Sequence, residues 1–342
     1  MGSVDNRATL APMSSMQITA SGLVIAGDTP PQRLLGFLDA VLRGVGQVML
    51  QNNSWTGLLF LVGIFYNSTL FGLAVLVGTS VSTLTAMLLA ADRALVRAGM
   101  FGFNGALVAI ALMYFLQPEL LTWGYVVLAA ACTTIIMAAM LNLLAVWKMP
   151  VLTAPFVFTA LGFLLACARF GRLHSTNVLP TAGLPQAATV EGVVTLATVV
   201  EGLFNGVAQV FFQGSVVTGV IFAVGLLVGS RLACVTALLG SLTGLLVAWG
   251  MGAAEPAIRS GAFGFNAVLA ALALGGVFFV LDAVSIVYAV FAAVTTTVVF
   301  AAMSAALEPV GMPALTFPFV LVVWLFVLAS PHFPRLRAAA TA

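Results

Sequence analysis

Pro150-Val151-Leu152-Thr153-Ala154-Pro155-Phe156 recurs as Pro313-Ala314-Leu315-Thr316-Phe317-Pro318-Phe319, displaced by 163 residues (313 − 150 = 163). Two further motifs precede each copy in the same order. Gly44-Val45-Gly46-Gln47-Val48-Met49-Leu50-Gln51 matches Gly206-Val207-Ala208-Gln209-Val210-Phe211-Phe212-Gln213 (209 − 47 = 162), and Phe101-Gly102-Phe103-Asn104 matches Phe263-Gly264-Phe265-Asn266 (265 − 103 = 162). The same spacing carries Thr56-Gly57 onto Thr218-Gly219 and Gly63 onto Gly225. Three motifs in one order, with one inserted residue between them, establish that the chain is built from two homologous halves.

The halves are apolar throughout. Hydrophobic residues make up 62% of the chain and charged ones 6%, with a mean hydropathy of +1.17; soluble domains carry about a quarter charged residues. No ionisable residue lies between Arg43 and Asp92, and further charge-free runs cover 202–230, 232–254, 260–281 and 283–307. These match or exceed the ~20 residues a helix needs to cross a bilayer, whereas barrel strands are shorter and alternate in polarity. The pattern predicts an all-α integral membrane protein with about five crossings per half plus a short re-entrant half-helix. An odd number of crossings per half would make the repeats inverted in topology, with a pore between them.

The expected divisions are a polar tail over 1–31, a first repeat over 32–168, a linker over 169–190, a second repeat over 191–330 and a tail over 331–342. The linker holds Pro180, Gly183 and Pro185, and the N-terminal tail lacks the pattern of a signal peptide and reads as loosely held. The positive-inside rule gives no orientation: Arg7, Arg33, Arg335 and Arg337 favour cytoplasmic termini, but Arg169 and Arg172 then face outward. A net charge of +2 argues against a nucleic-acid partner. Cys132, Cys167 and Cys234 lack disulfide or metal spacing and read as buried thiols. His174 and His332 have no partners at motif spacing, and no nucleotide loop appears, so the sequence gives no sign of an enzyme, a cofactor or a metal.

Gln47 and Gln209 precede turns at Asn52-Asn53-Ser54 and Gly214-Ser215. Irregular backbone at membrane depth survives where it lines a cavity or is buried in protein, and an uncharged amide there offers one acceptor and two donors. Helix–helix bonding is the alternative role. Phe103 and Phe265 at helix starts would form two flat walls, continued one turn later by Leu107 and Leu269; core packing is the plainer reading. The prolines place Thr153 and Thr316 at the start of broken helices, where their hydroxyls either cap those helices or line a path beside released carbonyls.

Taken together, the duplicated Gln-Val, Phe-Gly-Phe-Asn and Pro-x-x-Thr-x-Pro-Phe motifs resemble the urea transporter family over roughly residues 35–330. The resemblance implies a plasma-membrane homotrimer (inner membrane in a bacterium) with one pore per protomer, and passive, channel-like passage of urea. It also implies that Phe103 and Phe265 are the stacking walls of a selectivity slot, Thr153 and Thr316 its narrow region, and that Gln47 and Gln209 stand beside oxygen-lined faces. Leu50, opposite Phe212, departs from an aromatic seen in some relatives, and Ala267 stands where the first half has Gly105.

The chemistry suits a planar solute with sideways N–H donors: apolar walls cover its faces and acceptors line its edges. A channel for another small neutral solute is the nearest alternative, although the Asn-Pro-Ala pair of a water or glycerol channel is missing. An ion-coupled transporter would carry ionisable residues within its spans. The candidates are Asp39 and Glu201, equivalent by position (201 − 39 = 162). Asp39 is expected to form a solvated pair with Arg43, and Glu201 to lack one, because Asn205 stands at the matching place.

Overall fold

The computed structural model describes residues 16–25, 29–185 and 188–339. A hairpin of β1 (Met16–Thr19) and β2 (Gly22–Ile25) leads into the first repeat: α1 (Pro30–Gln47), α2 (Ser54–Asn67), α3 (Thr69–Leu88), α4 (Arg93–Arg97), α5 (Gly102–Phe115), α6 (Leu120–Ala145) and α7 (Ala154–Cys167). The second repeat follows as α8 (Leu196–Ala208), α9 (Val216–Gly229), α10 (Arg231–Gly250), α11 (Glu255–Arg259), α12 (Phe265–Leu272), α13 (Ala283–Leu307) and α14 (Phe317–Ala329). The starts of α9, α10 and α11 repeat those of α2, α3 and α4 at 162 residues (216 − 54, 231 − 69, 255 − 93).

The duplication reaches the backbone torsions. Left-handed residues occur in matched pairs: Leu50 (φ 60°) with Phe212 (57°), Leu152 (56°) with Leu315 (51°), Lys148 (53°) with Gly311 (64°) and Ala90 (55°) with Gly252 (79°). Leu50, Phe212, Leu152 and Leu315 are not glycines, so each carries a local cost of about 1–3 kcal/mol that the surrounding packing must offset. All four lie inside the motifs singled out in the sequence.

Caps account for the breaks. Asn53 accepts the N–H groups of Trp55 and Thr56 to start α2, and Ser215 accepts that of Thr218 to start α9. Ser68 and Ser230, both in extended conformation, end one helix and cap the next by accepting from Phe71 N and Ala233 N. A charge-free run therefore does not equal a continuous helix. Among the described residues, four helices are long and apolar enough to cross a membrane: Thr69–Leu88, Leu120–Ala145, Arg231–Gly250 and Ala283–Val310. The segments Leu196–Phe211 and Val216–Gly229, bent by 74°, make a fifth if counted as one span. That is fewer full-length passes than the charge-free runs suggested, because α2, α5, α7 and α14 are short. The outward faces of the long helices show Leu84, Leu128, Ile135, Val235, Leu246, Val287, Phe291 and Val298. Helices apolar on the outside as well as the inside belong in lipid.

The halves meet through reciprocal contacts. Thr56 Oγ1 donates to Gly225 O (2.8 Å), and its equivalent Thr218 Oγ1 donates to Gly63 O (3.1 Å), the equivalent of Gly225. Between them Phe60 and Phe222, also equivalent, pack with ring centroids 5.0 Å apart and both fully buried. The first turn of α2 thus lies against the last turns of α9, and the converse holds. These contacts are reciprocal between equivalent positions of the two repeats.

Three expectations need correction at the ends of the repeats. Residues 16–25 of the supposed loose tail form the hairpin, while 1–15 and 26–28 lie outside the described residues. The hairpin is held on the α1–α2 turn by Trp55 Nε1 donating to Thr19 O and Asn53 Nδ2 donating to Ala20 O, both at 3.0 Å. The isolated bridge Leu116↔Ser175 recurs as Phe279↔Ala338 (338 − 175 = 163), so the repeated structure runs past the bounds drawn at 168 and 330; residues 340–342 lie outside the described set. The three cysteines are free and only half-buried.

Candidate functional site

Four short helices begin at one place. Thr153 and Thr316 occupy the N-cap positions of α7 and α14, and their hydroxyl oxygens lie 2.6 Å apart, each residue 3% exposed. Neither hydroxyl caps its own helix. The capping is done from a distance: Asn104, in the first turn of α5, accepts Phe156 N at 3.0 Å, and Asn266, in the first turn of α12, accepts Phe319 N at 3.2 Å. Asn266 Nδ2 also donates to Leu315 O at 3.0 Å, whereas Asn104 Nδ2 has only Met137 Sδ at 3.8 Å. The first turns of α5, α7, α12 and α14 are therefore linked through two asparagines and two threonines.

This convergence has an electrostatic consequence. Helix N-termini carry unpaired N–H groups and about half a positive charge each, screened little away from water. Among the described residues the four that make the junction, Asn104, Thr153, Asn266 and Thr316, are uncharged, so it presents positive potential to a cation and hydroxyl oxygens to a neutral donor. The two roles considered for the threonines, capping and lining, are thus separated: the asparagines cap, and the threonine oxygens bond each other with lone pairs to spare.

The other predicted residues sit on either side. Gln47 ends α1 and donates from Nε2 to Ala98 O (2.9 Å); Gln209 follows α8 and donates to Ser260 O (3.1 Å), the equivalent position. Both are half-buried, so each amide is fixed by the C-terminal end of a short helix, with its carbonyl oxygen unspent among the described residues. Phe103, Leu107 and Leu269 are buried, and Phe265 is half-buried, edge-on to Phe300 at 5.5 Å. No ring contact joins Phe103 to Phe265 among the described residues. Phe212 lies against Tyr114 (5.3 Å) and Phe115 (6.0 Å) from the first repeat, and Tyr114 against Phe71 (6.0 Å). The counterpart of Tyr114 is Gly276, inside a π-helical turn over Ala273–Val277. The asymmetry expected from Leu50 opposite Phe212 is thus deepened by the loss of a second aromatic on the Leu50 side.

The acidic pair differs from expectation in both copies. Asp39 is 7% exposed: its oxygens take Arg43 Nε at 2.7 Å, Leu23 N at 2.9 Å and the Ser54 hydroxyl. The hairpin closes over it, so the pair is not solvated. Glu201 has a partner after all, Arg259 Nη1 at 3.0 Å, contributed by α11. Arg259 is also held by Glu255 at 2.7 Å. Sequence spacing along α8 could not reveal it. Asn104 and Asn266 were not singled out by the sequence, although their doubled Phe-Gly-Phe-Asn setting was an available signal.

The chain matches the family model described as urea transporter over residues 38–331. It is 34% identical over 306 residues to Urea transporter 1 of Ovis aries, covering 88% of this chain and 79% of that protein. To Urea transporter 1 of Rattus norvegicus it is 31% identical over 307 residues, covering 89% and 79%. The doubled motifs that build the threonine junction fall inside the matched region, and the chain belongs to the urea transporter family.

Proposed function

We propose that this chain is a passive, channel-like urea transporter of the plasma membrane, multi-pass, with its path running between the two repeats. The observation that carries the reading is the uncharged junction at Thr153 and Thr316, where four helix N-termini converge and two hydroxyl oxygens meet. Urea offers four N–H donors in a plane and one carbonyl. The donors find Thr153, Thr316 and backbone oxygens, each worth about 0.5–1.5 kcal/mol net, and the carbonyl finds the helix-terminal N–H groups. Such weak, shared binding permits release, as conduction requires, while the positive potential of the helix ends opposes cations and the cost of desolvation opposes ions of either sign.

On this reading Phe103 and Phe265 with Leu107 and Leu269 form the flat walls, Gln47 and Gln209 stand at the two approaches, and Leu50 and Phe212 border the mouths. The repeats, 32–168 and 191–330 joined by 169–190, are inverted in topology. The reciprocal contacts of Thr56 with Gly225 and Thr218 with Gly63 support this, because equivalent helices α2 and α9 run against each other head to tail. The protein assembles as a homotrimer with one pore per protomer. Asp39 is paired with Arg43 and Glu201 with Arg259 among the described residues, which favours passive flux over ion coupling.

Stopped-flow light scattering on proteoliposomes tests the reading. Urea efflux is expected to be fast and independent of proton or sodium gradients, with glycerol slower and ions excluded. Flux that requires an ion gradient would overturn it. Cross-linking in mild detergent is expected to end at trimer.

A further inference from the structure

α5 is enclosed by protein along almost its whole length: from Gly102 to Phe115 every residue is buried except Tyr114. Helical spacing places Tyr114 on one stripe with Phe103, Leu107 and Ile110. Positions 4, 7 and 11 residues on from Phe103 return to within about 40° of it around the helix axis. The Tyr114 ring packs against Phe71 of α3 (6.0 Å), Phe115 (5.0 Å) and, from the second repeat, Phe212 (5.3 Å). Its backbone is pinned as well, since Thr176 Oγ1 donates to Tyr114 O at 2.9 Å and Thr176 N to Phe115 O at 2.8 Å.

The hydroxyl stands apart from this packing. No group bonds it among the described residues, where a buried tyrosine ordinarily finds a partner for its O–H. Asn205 Oδ1 is the one side-chain polar atom there that is both unpaired and buried from solvent, so the Tyr114 hydroxyl is reached by solvent. An enclosed helix thus keeps a single accessible residue, on the stripe of Phe103 and Leu107 and against the ring of Phe212, and that residue holds an unspent donor to water. The other repeat builds nothing comparable. Leu50 stands in the place of Phe212, and the π-helical turn Ala273–Val277 that follows α12 holds no aromatic residue.

We propose that Tyr114 is a specificity-determining residue at the Phe212 mouth, its hydroxyl donating to the carbonyl oxygen of a planar amide solute that passes against the Phe212 ring. The inference rests on the channel reading and adds a residue to it. A hydroxyl placed to bond the solute discriminates against an analogue that cannot complete the bond, because the polar group is then left unpaired. Tyr114 therefore favours a carbonyl solute over a thiocarbonyl one of the same shape, sulfur being the weaker acceptor.

Efflux from proteoliposomes is measured against concentration for urea and for thiourea, on wild type and Tyr114→Phe. The substitution removes one oxygen and keeps the ring with its three aromatic neighbours. It is expected to raise the urea concentration that gives half-maximal efflux by about 2- to 13-fold, the worth of one hydrogen bond. The thiourea value is expected to move less, and the maximal urea rate and the unfolding midpoint in detergent to stay unchanged. An unaltered urea value, an equal shift for both solutes, or efflux that does not saturate overturns the inference, as does a fall in the unfolding midpoint that accounts for the loss. A wild type that moves no urea overturns the channel reading and this inference with it. A wild type that moves urea beside an identical Tyr114→Phe overturns this inference alone.

Discussion

Thr153 Oγ1 and Thr316 Oγ1 lie 2.6 Å apart at the point where α7 and α14 begin, and each residue is the other's counterpart in the duplication. The contact brings equivalent residues of the two repeats together, and on the proposed reading both oxygens act on the same point of the path. Thr153→Val and Thr316→Val keep the side-chain shape and remove one hydroxyl each. Each is expected to lower urea efflux by roughly 2- to 13-fold, the equivalent of about 0.5–1.5 kcal/mol. Because the two share one bond, the double variant is expected to lose less than the product of the singles. Unchanged efflux in all three would separate the junction from transport.

The asparagine caps predict an order of damage. Asn266 makes two hydrogen bonds, one to α14 and one to Leu315 two residues before it, whereas Asn104 makes one to α7 and a weak one to Met137 sulfur. Replacing a cap by alanine costs about 0.5–2 kcal/mol, and here the cap joins separate helices. Asn266→Ala is expected to lower the detergent unfolding midpoint more than Asn104→Ala, with both reducing efflux. The reverse order would mean that the Met137 contact or local repacking dominates.

Much of this was legible in the sequence, and the rest was hidden for identifiable reasons. The duplication, the membrane setting and the threonine, glutamine and phenylalanine positions follow from repeated motifs and charge-free runs. Cross-helix partners do not. Arg259 reaches Glu201 from 58 residues away, and Phe156 reaches Asn104 from 52, so no local spacing rule finds either. The charge-free runs hold fewer long helices than their length suggests because the extended backbone at Ser68 and Ser230 splits the runs they sit in. The hairpin over Asp39 was missed because its short strands carry no strong alternation.

Acid is expected to loosen the contacts around α11. The Glu255 carboxyl is held below the ordinary carboxylate range, first by the Thr198 hydroxyl it accepts and then by Arg259. A depressed pKa in the folded protein contributes stability that is present above the unfolded value, about 4.3, and is lost as pH falls through the folded value. The wild-type unfolding midpoint is therefore expected to drop on acidification below that value. Thr198→Val removes the largest cause, and its midpoint is expected to change less over the same range. Identical acid profiles would show that Glu255 does not contribute.

The exchange of Gly105 for Ala267 between repeats predicts a compensating pair. A Cβ on Gly105 would lie 1.9 Å from Ser82 Oγ and 2.5 Å from Gly78 O. Ser82 of α3 corresponds to Gly244 of α10 (244 − 82 = 162), where an added Cβ would stand 3.2 Å from Ala267 Cβ. Bulk is thus supplied by α3 in the first repeat and by α12 in the second, one atom group per interface. Gly105→Ala alone overpacks the α3–α5 contact and is expected to destabilise by about 1–3 kcal/mol. Ser82→Gly alone loses the hydrogen bond from Ser82 Oγ to Ala130 O at 2.7 Å and is destabilising for a different reason. The double variant recreates the arrangement of the second repeat. It is expected to be more stable than the sum of the two losses by about 0.5–3 kcal/mol, with the close Gly78 carbonyl keeping the rescue incomplete. Strict additivity in detergent unfolding would mean that the helix spacing, and not the serine, sets the demand for glycine at 105.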